Sequence, residues 1–230
     1  MSDIAQFVDA VKRGDLGQVE LLLSKDRELV RATDDHGVSV ILLALYHRHP
    51  AVAQALVSRR TRLSMPEACA LGRVDEARAI IAGNKEHARM PAPDGHTPLG
   101  LASFFGHVDM VALLLETGAD PTIPSANSMH VTPLHSAVAV AEPDQALAIV
   151  RLLLAHGADP DARQQGGWTA LHAAAQRGLR DVVTVLLEAG ASPAPVSDDG
   201  ITPAMLARKG GMESLAASLE SRRGSMINEQ

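Results

Sequence analysis

The chain has 230 residues, 46% hydrophobic and only 2% aromatic, with a mean hydropathy of +0.04, which gives enough apolar material to fold but too few rings for one thick core. A net charge of -6 argues against a nucleic-acid binder, which needs a basic surface to displace condensed counterions. The single Cys69 excludes an internal disulfide and a thiolate zinc cluster, and no apolar run exceeds "VILLALY", Val40 to Tyr46, far short of a bilayer span. With no basic-then-apolar leader at the start, the expected location is the cytoplasm. Arginine outnumbers lysine 17 to 4, a bias expected of a GC-rich bacterial source.

In chain order, paired short helices are predicted first in "AQFVDAVKRGDLGQVELLLSKD" from Ala5, then in "HGVSVILLALYHRHPAVAQALVS" from His36 and "LSMPEACALGRVDEARAIIAG" from Leu63. A sharper copy follows, "DGHTPLGLASFFGHVDMVALLLETGADP" from Asp94. There Thr97 can cap a helix with its hydroxyl, and Pro98 suits the first helical position because its missing N–H needs no partner. Gly106 permits the left-handed turn that ends that helix, and Val111, Leu114 and Leu115 share one face of a second helix closed by Gly118. The opening returns at Thr132, as "TAL" at Thr169 and as "TPAML" at Thr202, with spacings of 35, 37 and 33 residues. Seven units result, over about 1–33, 34–60, 61–91, 92–124, 125–163, 164–196 and 197–223, forming one domain 1–223 before a tail, 224–230, expected to be unstructured. Helices this short do not persist alone, so each pair must bury its apolar faces on the next. The predicted fold is an all-α solenoid.

Three departures are visible. Ser39 and Leu63 are only 24 residues apart, so the projecting turn between the second and third units is expected to be missing. The fifth unit, "HSAVAVAEPDQALAIVRLLL", holds about four extra residues around Glu142 to Gln145, expected to lengthen the link between its helices. In the last unit Glu213, Ser214, Ser218 and Glu220 stand where inner units are aliphatic, as in a polar end cap.

The D-G-x-T-P-L opening, the alanine-rich first helix, the G-H break and the G-A-D close resemble the ankyrin repeat, over nearly the whole chain, with the last four units the strongest matches. The resemblance implies a non-catalytic protein-binding module. In that family the residues just before the glycine break, and those flanking the opening, face a concave side that meets partners. Carried over, these positions hold Tyr46, His47, Ala70, Leu71, Phe104, Phe105, Ala139, Val140, Gln176, Arg177, Lys209 and Gly210, with Val38, His96, Val131, Trp168 and Ile201 in the openings. Stacked helices lie roughly 10 Å apart, so Tyr46, Leu71, Phe104, Phe105 and Val140 would form an apolar stripe about 30 Å long. An exposed stripe of that kind marks a docking surface. The alternative is packing, with one of Phe104 and Phe105 folded inward, Tyr46 leaning over the gap at the short link, and Trp168 covering the base of the adjoining turn. Phe7 reads as core.

Residues with chemical potential have structural addresses. His135 and His172 fill the motif's histidine, which in the family bonds neighbouring turns, while His49 and His107 follow the glycine position. His36, His47, His96 and His130 are spaced too widely for a zinc site. The pair His107 and Asp109 lacks a nucleophile beside it, and Cys69 sits at a small-residue position that predicts a buried, inert thiol. Arg59, Arg60 and Arg62 form a basic cluster at the short link, able to meet an acidic partner or simply solvated. The expectation is thus a monomer without catalytic residues, metal or cofactor, its partner another protein rather than nucleic acid or membrane. A small-molecule or nucleotide sensor using the same groove and a self-associating scaffold are the alternatives.

Overall fold

A computed structural model describes residues 3–228, with side chains through Arg222. Fourteen α-helices follow one another in seven pairs, and among the described residues there is no strand. The pairs are α1 (Asp3–Arg13) and α2 (Leu16–Lys25), α3 (Val40–Tyr46) and α4 (Pro50–Val57), α5 (Met65–Ala70) and α6 (Val74–Gly83), and α7 (Pro98–Phe104) and α8 (Val108–Glu116). They continue with α9 (Pro133–Val138) and α10 (Pro143–Ala155), α11 (Ala170–Arg177) and α12 (Arg180–Glu188), and α13 (Pro203–Lys209) and α14 (Glu213–Asn228). First helices stack on first helices along the whole chain, and second helices form a second row behind them. The result is an all-α solenoid.

The fourth unit shows how the sequence builds a pair. Thr97 Oγ1 accepts the Gly100 N–H at 3.0 Å and so caps α7, with Pro98 at its first position. Gly106, at φ +80°, ends the helix. Met110, Val111 and Leu114 are then wholly buried on the inward side of α8, and each such face contributes through the water it excludes, roughly 25 cal/mol per Å² of apolar surface. Ser39 and Thr202 cap α3 and α13 in the same way.

Two junctions, between the first and second units and between the third and fourth, are stitched by the same contact. His107 lies over Gly72, where an added Cβ would come within 2.6 Å of the ring, and its Nε2 donates to the Ala70 carbonyl at 2.9 Å. His49 does the same over Gly14, donating to the Lys12 carbonyl at 3.0 Å. Between the second and third units this stitch is absent, because Arg48 replaces the glycine, at φ +59°, and Arg73 replaces the histidine.

The same junction lacks the projecting turn. Residues 58–64 alone join α4 to α5, where 26–39, 84–97, 117–132, 156–169 and 189–202 span the other junctions. The second helices α4 and α6 meet at most marginally there, as α12 and α14 do at the end of the row. The buried core divides at this point into one cluster of the first two units plus Ala70 and another of the remaining five, with Tyr46, Leu63 and Phe105 packed against both. Arg60 closes the seam. Its guanidinium donates to the Val30 carbonyl at 3.3 Å, to the Arg62 carbonyl at 3.2 Å and to Glu67 Oε2 at 3.2 Å.

The extra residues of the fifth unit lengthen its inter-helix link only slightly, 139–142 against 105–107 in the fourth unit, and go mainly elsewhere. They extend α10 to 13 residues, because Pro143 suits its first position and Asp144 favours the positive end of the helix dipole. At the other end, Leu215, Ala216 and Leu219 of α14 are buried while Glu213, Ser214, Ser218 and Glu220 face solvent, so the last unit caps the stack. Helix α14 is assigned to Asn228, into the stretch 224–230 expected to be a tail; the side chains of 223–228 and all of 229–230 lie outside the described residues.

Candidate interaction groove

The C-terminal ends of α3, α7 and α9 enclose a groove of about 430 Å³, lined by Tyr46, Arg48, His49, Phe104, Phe105, Val140 and Gln145 among others. The aromatic side chains come together although they belong to the second and fourth units. Tyr46 and Phe105 stack with ring centroids 6.0 Å apart and planes 19° from parallel. The third unit places the small Ala70, 2% exposed, and the half-buried Leu71 at the corresponding positions. Phe104 stands at 90° to Phe105, 5.1 Å away, in the edge-to-face arrangement that ring quadrupoles favour.

The five members of the expected stripe therefore separate by role. Phe104 is 46% exposed. Phe105 and Tyr46 are half-buried, and the Tyr46 hydroxyl donates to Asp94 Oδ2 at 2.6 Å. Burial first, and the Asp94 carboxylate second, raise the Tyr46 pKa above its ordinary value, so the hydroxyl stays protonated and remains the donor. Leu71 is half-buried against the first core cluster. Val140 corrects the expectation of an exposed apolar position, being only 4% exposed. The fifth unit has no glycine break at this point, and Val140 settles over Gly106, where an added Cβ would lie 3.0 Å from its Cγ1. The continuous stripe is thus interrupted, leaving one prominent ring on an aromatic platform.

The remaining expected site residues lie outside this cluster. His47 is exposed and stacks on His49, with centroids 6.3 Å apart. Gln176 and Arg177 are exposed on α11, but Arg177 reaches back to the carbonyls of Val138 and Ala141 and so serves the end of α9. Trp168 is half-buried at the base of its own projecting turn, edge-on to His172 at 5.2 Å. Asp94, which fixes Tyr46, and Arg48, which lines the groove, were not among the expected site residues. Asp94 lies in a turn 48 residues beyond its partner, and nothing in the local sequence signals that pairing.

The chemistry-bearing groups occupy structural positions. His172 Nδ1 accepts the Thr169 N–H at 3.1 Å while its Nε2 donates to the Ile201 carbonyl at 3.0 Å, which fixes a neutral ring. His135 pairs with Thr132 Oγ1 at 2.8 Å and donates to the Trp168 carbonyl at 3.1 Å. Burial lowers the pKa of both. Burial likewise pushes the Cys69 thiol up to about 12. Among the described residues no group of three His, Cys, Asp or Glu side chains could hold a metal ion, and no helix is long and apolar enough to cross a membrane.

A row of stacked helix pairs with projecting turns and an apolar groove at its first-helix ends defines a helical-repeat binding scaffold. The family model of ankyrin repeats matches residues 65–164, 121–197 and 139–228, and the chain belongs to the ankyrin-repeat family. It is 34% identical to the mouse (Mus musculus) B-cell lymphoma 3 protein homolog over 177 residues, 77% of this chain and 34% of that protein. It is 28% identical to the chicken (Gallus gallus) nuclear factor NF-kappa-B p105 subunit over 222 residues, 89% of this chain and 22% of that protein. It is also 37% identical to human (Homo sapiens) SH3 and multiple ankyrin repeat domains protein 1 over 113 residues, 47% of this chain and 5% of that protein. The chain therefore spans about a third or less of the length of these relatives. Fold and family are those of a protein–protein interaction module.

Proposed function

We propose that the chain acts without catalysis, as a cytoplasmic adaptor that binds one partner protein on its concave first-helix face, with Phe104 as the anchor. The observation that carries this reading is the placement of Phe104, a large ring 46% exposed yet braced by Phe105, which is itself braced by Tyr46. A ring already held in place loses little freedom on docking, so more of its contact energy appears as affinity. Aromatic anchors bordered by polar groups dominate interface energies, and here His47, Arg48, Gln176 and Arg177 supply an exposed polar rim along the same row. The bacterial source belongs to the same proposal and rests on the arginine-to-lysine bias.

Affinity capture with the wild-type chain and with Phe104→Ala, from the native host, tests the reading. A partner held by the wild type and lost by the variant is expected. Equal recovery of every captured protein by the two chains, with unchanged circular dichroism, would remove Phe104 from the interface.

A further inference from the structure

The short link between the second and third units leaves space as well as a seam. A chamber of about 660 Å³ lies between the projecting turn before α3 and the one before α7, where another turn would stand if this junction resembled the others. The two flanking turns abut at Gly37 and Pro93, where a Cβ added to the glycine would lie 3.3 Å from the proline's. Below that contact the walls are apolar, from Leu42, Leu63, Met65 and Ile80, with Arg60, Glu67 and His87 as polar groups among them.

We propose that this chamber binds a short extended segment of another protein, apolar in body and bearing an acidic side chain, which takes the place of the absent turn. Three observations carry the assignment. The first is shape: the space is bounded by the elements that elsewhere pack around a stretch of polypeptide. The second is main-chain pairing. Later turns are joined tip to tip by Ala126 N–H to the Gly95 carbonyl at 2.8 Å, Gln165 N–H to Met129 at 3.0 Å and Asp198 N–H to Gly166 at 2.9 Å. The residue that would donate to the first turn, four before the capping threonine as Gln165 and Asp198 are, is Pro93, which has no N–H. His36 precedes Gly37, which lines the chamber, and its carbonyl, in register with those of Met129 and Gly166, thus lacks the turn-to-turn bond, the kind of main-chain pairing that strand addition uses elsewhere.

The third observation is charge. The chamber and the smaller pocket sharing Arg60 and Leu63 with it are lined by Arg31, Arg60, Arg62 and Arg73 against Glu67 and Glu76, on a chain of net charge -6. Glu67 and Arg60 engage each other at 3.2 Å, Glu67 Oε2 also accepting from the Ser64 N–H and hydroxyl at 2.8 and 2.9 Å, and Arg31 pairs at 3.2 Å with Glu28 at an exposed position, where an incoming carboxylate can compete for it. His87 lines the chamber, and its Nδ1 atom is buried without a hydrogen-bond partner. None of these residues lines the groove at Phe104, and the two sites stand or fall separately.

Selection of a random heptapeptide library on the immobilised full chain provides the test, followed by titration calorimetry of the enriched peptides. Peptides combining aliphatic residues with Asp or Glu are expected. Their affinity should fall at least tenfold in Ile80→Trp, which fills the chamber, and in Arg31→Glu, a surface change that leaves the fold alone, and should be unmoved in Phe104→Ala. Three results would overturn the proposal: no peptide enriched above background, enriched peptides indifferent to both chamber variants, or peptides lost only in Phe104→Ala, which would place them on the other groove. It would also fall if decanoate alone shifted the amide resonances of Leu63 and Ile80, marking a small-anion site, or if the chain dimerised and Ile80→Trp dissolved the dimer.

Discussion

The Tyr46 hydroxyl donates to Asp94 Oδ2 over 2.6 Å, tying the end of α3 to a projecting turn beyond the next helix pair. With the stitch of glycine and histidine absent at this junction, that bond and the ring stack on Phe105 reinforce the packing of α3 on α5 across the seam on the first-helix side. Tyr46→Phe keeps the ring and removes the donor. It should cost about 2 kcal/mol, the size of a hydrogen bond to a charged group, measured as the shift of the urea midpoint at constant slope. Hydrogen exchange should show the first two units losing protection before the remaining five, since a solenoid's stability sums over neighbouring interfaces.

At the N-terminal end of α5 the pair of Arg60 and Glu67 performs a similar task, with side chains 17% and 1% exposed. Arg60→Ala leaves the Glu67 carboxylate buried without its counter-ion, for which a loss of about 3 kcal/mol is expected. Chemical denaturation followed by exchange-detected mass spectrometry should then resolve two transitions. A single cooperative transition at the wild-type midpoint would show that the seam is held by other contacts.

The pH dependence follows from His135 and His172. Their folded pKa values lie below the ordinary 6.5, so the unfolded chain binds their protons more tightly than the folded one. Stability contributed by the neutral rings is complete above about pH 6.5 and declines as pH falls from there toward the lowered folded values. Urea midpoints at pH 7.5 and 5.5 should differ in that direction, and the difference should shrink in a His135→Gln, His172→Gln variant.

Cys69 is wholly buried, and its thiol is pushed up to about 12. At pH 8 a disulfide reagent such as dithiobis(nitrobenzoate) should react with the native chain only at the rate at which the third unit opens, and promptly in 6 M guanidinium. Prompt reaction in native buffer would mean that α5 opens far more readily than its burial implies.

The repeating architecture was legible because most units announce themselves locally, through some combination of a capping Ser or Thr, a proline in the first helical turn and a glycine where φ must be positive, although the second unit has Arg48 in place of the glycine and the fifth has none. The missing turn could be read from the spacing of Ser39 and Leu63 alone. The groove was only partly legible, since facing depends on what a neighbouring unit leaves open. Val140 is buried where Gly106 has no side chain, and Tyr46 meets Phe105 from two units away. The basic cluster at Arg59 to Arg62 looks like surface charge in sequence, and only the arrival of Glu67 and the Val30 carbonyl makes Arg60 a clamp. The extra residues of the fifth unit lengthened a helix, which Pro143 and Asp144 together could have signalled.

The most direct test of the binding role is the dissociation constant of the captured partner for the wild-type chain and for Phe104→Ala, by titration calorimetry at matched salt. Removal of a central aromatic anchor should weaken binding about 30-fold, the effect of roughly 2 kcal/mol, with the thermal midpoint little changed because the ring is half exposed. Equal constants for the two chains would contradict an anchor at this position.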